Sequence, residues 1–152
     1  MSTYRERLWP TPWMFVATAL VIPASLLVFL PINTTAGVIV AIVLYLGVAS
    51  LLLAAALPVE VGGGYLRVGA ARLPIEFVGD AEAFTGAEAT LERGQRADAR
   101  AWLGIRGWIG PLVKVQNTDA EDPAPYWLVS TRRPEALIEA LRSARAEAHP
   151  SP

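Results

Sequence analysis

Two stretches of this chain run apolar without interruption, Trp13–Leu30 and Ala36–Val59, and neither holds a charged residue. Only Pro31-Ile32-Asn33-Thr34-Thr35 lies between them. Bilayer hydrocarbon is roughly 30 Å thick, and a helix needs about 20 apolar residues to cross it. At ~1.5 Å per residue the two runs reach about 27 and 36 Å. The gap is long enough only for a reversal of direction. The pattern therefore predicts a membrane α-helical hairpin of two transmembrane helices, with spans near 13–30 and 36–59. Pro23 inside the first span withholds a backbone donor and predicts a kink. Gly37 with Ala41, and Ser50 with Ala54, place small residues four apart, where helices can approach closely.

After Pro58 the pattern changes to short alternating stretches punctuated by glycine. Val59-Glu60-Val61 and Tyr65-Leu66-Arg67-Val68 flank Gly62-Gly63-Gly64 and read as a β-hairpin. Ile75–Val78 alternates again and reads as a strand, with Pro74 at its start or edge. Thr85-Gly86-Ala87-Glu88 has the form of a capping box, and Gly94 lies where a helix over Gly86–Arg93 would stop. Trp102–Ile105 and Leu112–Gln116 suggest further strands, Asn117–Pro125 an acidic loop, and Tyr126–Ser130 the most strand-like run of the chain. Leu137, Ile138, Leu141 and Ala144 recur at helical spacing, so Pro134–Ala146 reads as a terminal amphipathic helix. The expected fold class is a transmembrane helical hairpin followed by a small α+β cytoplasmic domain. That domain is read as a partly open antiparallel β-barrel or sheet capped by the C-terminal helix. The implied division is residues 1–59 for the N-terminal flank and hairpin, 60–147 for the β-rich domain with its helix at 134–146, and 148–152 for a disordered tail.

Charge sharpens this division. Only Arg5, Glu6 and Arg7 precede residue 60, and the remaining 11 basic and 13 acidic side chains lie from Glu60 onward. The aqueous part is thus slightly acidic, unlike the basic face that nucleic acid requires, and nucleic acid is not expected as a partner. The absence of cysteine excludes disulfides, zinc–thiolate sites and thiol catalysis. The hairpin turn carries no charge, whereas Arg5 and Arg7 precede the first span and Arg67 and Arg72 follow the second. The positive-inside bias then puts both termini in the cytoplasm of a multi-pass inner-membrane protein. Arg5, Arg7, Trp9 and Trp13 are read as membrane-interface anchors. Ala17-Thr18-Ala19 fits a signal-peptidase pattern, but it leaves too short an apolar stretch before it, and a second span follows at once.

Tyr4-Arg5-Glu6-Arg7-Leu8-Trp9, followed by a two-span hairpin, resembles the start of a family of small actinobacterial membrane proteins. Pro125-Tyr126-Trp127-Leu128-Val129-Ser130-Thr131-Arg132-Arg133-Pro134 resembles that family too. The family is catalogued as domain of unknown function 3093. The closing strand, Ser-Thr-x-x-Pro and terminal helix are also similar to the end of bacterial pleckstrin-homology-like modules, which are small barrels closed by one helix. The resemblance implies no reaction, cofactor or catalytic residue.

The residues themselves offer little chemistry. The single histidine, His149, sits in the tail, away from any nucleophile. Asp119, Glu121 and Asp122 cluster without the glycine turn and closing glutamate of a calcium loop. Gly62-Gly63-Gly64 lacks the lysine and hydroxyl of a phosphate loop. Neither a cofactor nor a metal is expected. The one candidate contact is Thr131, Arg132 and Arg133, at the mouth of the terminal helix, where an anion, a lipid headgroup or a partner could bind. The expected role is therefore non-enzymatic: a membrane-anchored binding or scaffolding module. Its expected partners are the lipid bilayer and a protein partner or a second copy of the chain. An anionic-lipid or phosphate-headgroup sensor through Arg132 and Arg133 is the alternative, and an unrecognised membrane enzyme a third.

Overall fold

The apolar runs are helical in the computed structural model, which describes residues 2–148. Residues 149–152 of the expected tail lie outside the described residues, whereas Ala148, expected in that tail, is the last residue of the terminal helix. Two units are distinct, residues 9–56 and the remainder of the chain. In the first, α1 (Pro12–Thr18) and α2 (Val21–Phe29) form one leg and α3 (Thr34–Ala54) the other. The leg breaks at Ala19-Leu20 because Pro23 has no N–H for the Ala19 carbonyl, which accepts from Ile22 N–H at 3.0 Å instead. Asn33 starts α3 by accepting from the Ala36 N–H at 3.1 Å. Gly37 and Ala41 are buried between the legs. A Cβ on Gly37 would stand 2.9 Å from that of Phe29, so a side chain there would force the helices apart.

The second apolar helix ends earlier than the apolar run suggests. Pro58 cannot continue a helix, and Leu57–Gly62 is strand β2. The larger departure is at the N-terminus. Residues expected as a flank form strand β1 (Ser2–Leu8), antiparallel to β2, with Leu8 opposite Leu57 and Arg5 opposite Glu60. β1 therefore belongs to the same unit as the other strands, and the hairpin is inserted between the first two strands of one sheet.

That sheet continues through β3 (Tyr65–Val68) and β4 (Ala71–Pro74), in the order β1-β2-β3-β4. Gly63 and Gly64, with φ of 61° and 81°, make the tight turn between β2 and β3. Ile75–Phe77 is a single 3-10 turn rather than the expected strand, which begins only at Val78. The second sheet has the order β5 (Val78–Phe84), β7 (Leu112–Asn117), β8 (Tyr126–Ser130), β6 (Trp102–Gly104). It is mixed, not wholly antiparallel, because β6 runs parallel to β8. Helix α4 (Gly86–Arg93) forms where the glycine-flanked run places it, but the Thr85 side chain makes no capping bond.

Helix α5 (Pro134–Ala148) closes the chain. Val59, Val61, Leu66 and Val68 of the first sheet share one core with Val113, Val115 and Val129 of the second and Leu137 and Leu141 of α5. Strand β8 is buried along its whole length because a second cluster, Ala89, Leu112, Tyr126 and Leu128, covers its other face. This double cover explains why its sequence is apolar at nearly every position.

Candidate functional site

Alternation along β1 sends Tyr4, Glu6 and Leu8 inward and leaves Arg5 and Arg7 exposed. Tyr4 and Glu6 meet the end of β8. The Thr131 hydroxyl, fully buried, donates to Glu6 Oε2 at 2.5 Å, and the Tyr4 hydroxyl donates to the same oxygen at 2.6 Å. The two hydroxyl oxygens are 3.0 Å apart. Glu6 Oε1 accepts from the backbone N–H of Arg132 at 3.1 Å. Thr131 Oγ1 in turn accepts from the Arg133 N–H at 3.0 Å, closing a hydroxyl turn just before α5. The anion at the start of the terminal helix is thus the chain's own Glu6, where the helix dipole favours a carboxylate.

Thr131, Arg132 and Arg133 follow β8 directly, and the fold joins this run to Tyr4 and Glu6, neither of which was expected at the site. The Arg133 guanidinium donates to the Arg5 carbonyl at 3.0 Å and lies over the Tyr4 ring at 5.1 Å. Burial foremost, and then Glu6 accepting its hydrogen bond, pushes the Tyr4 hydroxyl up to about 12. The signal that could have found the pair is the Tyr4-x-Glu6-x-Leu8 alternation itself.

Of the expected interface anchors, Arg5 pairs with Glu60 at 2.7 Å on the first sheet, and Arg7 lies on the same face. Trp9 and Trp13 belong to the helical unit, and are 44% and 67% exposed. Trp102 stacks on Trp127, centroid to centroid at 4.2 Å, and Trp108 Nε1 donates to the Leu8 carbonyl at 3.3 Å.

A second polar cluster centres on Glu92 of α4, which is buried. Lys114 of β7 donates to its Oε2 at 3.1 Å and Arg96 to its Oε1 at 3.2 Å, while Arg96 also holds Glu88 at 2.7 Å. Burial drives the Glu92 carboxyl upward, but the bonds from Lys114 and Arg96 together outweigh it and hold it below the usual carboxylate range. Lys114 also lies over the Tyr126 ring at 4.4 Å. In the acidic loop the carboxylates turn inward: Asp119 Oδ1 accepts from the Glu121 N–H and Asp122 Oδ2 from the Asn117 amide. Among the described residues no group of three or more acidic or histidine side chains is placed to hold a metal.

An apolar helical hairpin inserted in the chain between two neighbouring strands, and a separate unit of two sheets with one terminal helix, define the class of protein. The chain belongs to the family DUF3093, described as a protein of unknown function, which matches it over residues 3–141. The match takes in both halves of the Glu6–Thr131 junction. No curated protein and no solved structure matches the chain.

Proposed function

We propose that the chain is an integral inner-membrane protein whose hairpin crosses the bilayer and whose head, with both termini, faces the cytoplasm. The observation that carries this is the exposure of the helices. Their apolar windows, Pro12–Phe29 and Thr34–Ala54, are only 6% and 11% buried, whereas a core helix of a soluble protein is mostly covered. Val16, Leu20, Leu27, Ile32 and Leu51 each expose more than two thirds of their surface, which suits lipid rather than water. A cleaved signal sequence fits less well. Cleavage within α1 would remove β1 and, with it, the acceptor for the Thr131 hydroxyl.

The head is a non-catalytic binding module of pleckstrin-homology-like character. Two four-stranded sheets that share a core with one terminal helix support this reading. The parallel strand β6 and helix α4 are departures from the plain form of such a module. Its role is to hold a protein partner or a second copy of the chain at the membrane face.

Single cysteines test the membrane reading in a chain that has none of its own. Ile32→Cys in the hairpin turn and Glu147→Cys in α5 should react with a membrane-impermeant maleimide from opposite sides of sealed vesicles. Labelling of both from one side would overturn it.

A further inference from the structure

The pleat of the first sheet collects arginines on its outer face. Cross-strand register places Arg5, Glu60, Arg67 and Arg72 side by side on four successive strands. Arg7 lies two residues from Arg5 and so on the same face. Four arginines thus share a surface with one carboxylate, and Glu60 is already held by Arg5 at 2.7 Å. Among the described residues, neither Arg67 nor Arg72 has a carboxylate within ion-pair distance. An open groove of about 580 Å³ lies here, lined by Arg5, Arg7, Glu60, Arg67, Pro58 and Gly69, with Glu6, whose carboxylate is turned to Thr131 and Arg132, at its floor. The rest of the chain has nine basic and thirteen acidic side chains, so the arginine face is a segregated positive pole on an otherwise negative molecule.

The position of this pole in the chain says what would meet it. Arg7 is five residues before Pro12, the first residue of α1. At no more than ~3.4 Å per residue, covalent reach holds it within about 17 Å of the hairpin. Arg67 and Arg72 are held beside Arg5 by the ladder. We propose that this outer sheet face, through Arg5, Arg7, Arg67 and Arg72, binds the headgroups of anionic phospholipid in the leaflet next to the head. The inference rests on the membrane reading above and assigns a ligand to a surface separate from Thr131–Arg133. Anionic leaflets attract basic side chains near them, and the acidic remainder of the head is repelled, so the charge pattern also orients the head. Each arginine near such a surface strengthens association about five-fold, and the effect fades within roughly a Debye length.

The test uses the full chain reconstituted in phosphatidylcholine vesicles that carry a trace of spin-labelled phosphatidylglycerol or spin-labelled phosphatidylcholine. Flotation of the protein with the vesicles is scored first. The wild-type chain should immobilise labelled phosphatidylglycerol in preference to phosphatidylcholine, and added salt should abolish the difference. Arg67→Gln with Arg72→Gln should lower the preference several-fold. Glu60→Gln removes the only carboxylate of the row and should raise it, which keeps the idea exposed if the double variant does not fold. Flotation with equal immobilisation of the two lipids overturns the lipid assignment alone and leaves the face to an acidic protein partner. Failure to float overturns the membrane reading as well.

Discussion

Glu6 is where the two ends of the sequence meet, and its removal measures what that meeting contributes. Alanine there would leave the Thr131 hydroxyl, the Tyr4 hydroxyl and the Arg132 N–H without their acceptor in a buried setting. Unpaired buried donors cost about 1–3 kcal/mol each, less whatever water can recover, so Glu6→Ala should lose about 3 kcal/mol of stability. Glu6→Gln should also destabilise, because its amide turns donors toward donors. Chemical unfolding of the full chain in micelles, followed by tryptophan fluorescence, reads both. Tyr4 gives an independent measure through its proton. Its folded-state value of about 12 lies above the ordinary 10, so its contribution is complete below pH 10 and drains away as pH rises toward 12. Tyr4→Phe should therefore delete a late step, near pH 12, from the near-ultraviolet titration of the chain. If the titration shows no step that Tyr4→Phe removes above pH 10, Glu6 does not hold the Tyr4 hydroxyl as described.

At the scale of elements, α4 is tied to β7 by a buried charge rather than by apolar contact alone. Glu92 titrates below the usual carboxylate range because Lys114 and Arg96 outweigh its burial. A depressed folded-state value contributes stability that is present above the unfolded value, near 4.3, and is lost as pH falls through the folded one. The acid limb of stability should therefore flatten in Glu92→Gln. An unchanged limb would show that other carboxylates set it. This tie was not legible in the sequence, since i,i+4 spacing shows Glu92 near Arg96 but no periodicity reports a lysine on a distant strand. What was legible came from local pattern. Tyr65–Val68, Gly86–Arg93 and Tyr126–Ser130 fold within the bounds their periodicity and glycines mark. The misreadings have physical causes. Ile75–Phe77 alternates like a strand, yet it turns the chain from one sheet to the other. The apolar run to Val59 hid the change at Pro58, because a strand buried on one side and a membrane helix can share composition. Likewise Thr131, Arg132 and Arg133 were visible as a candidate contact, but the carboxylate that takes the Thr131 hydroxyl and the Arg132 N–H comes from 125 residues away, which no local pattern reports.

For the molecule as a whole, the insertion of the hairpin between β1 and β2 separates two requirements that sequence order makes look like one. The head needs β1: Tyr4 and Leu8 belong to its core, and Glu6 closes the junction with α5. Burial of two such side chains is worth about 1.5–3 kcal/mol each, and a small domain has only about 5–15 kcal/mol in all. A fragment that starts at Leu57 should therefore fail to fold stably, with broad amide signals and early proteolysis. The head does not need the hairpin's residues to close its sheet, because Leu8 already stands opposite Leu57 in antiparallel register. Replacing residues 9–56 by Asn-Gly supplies a two-residue turn whose twist suits such a pair. That shortened chain should be monodisperse in water and should keep the downfield shift of the hydrogen-bonded Thr131 hydroxyl. It should also lose the late tyrosine step when Tyr4 is changed to Phe. A shortened chain that precipitates or remains unfolded, beside a stable fragment 57–152, would reverse the argument: β1 would then be a tether to the membrane rather than a strand of the head.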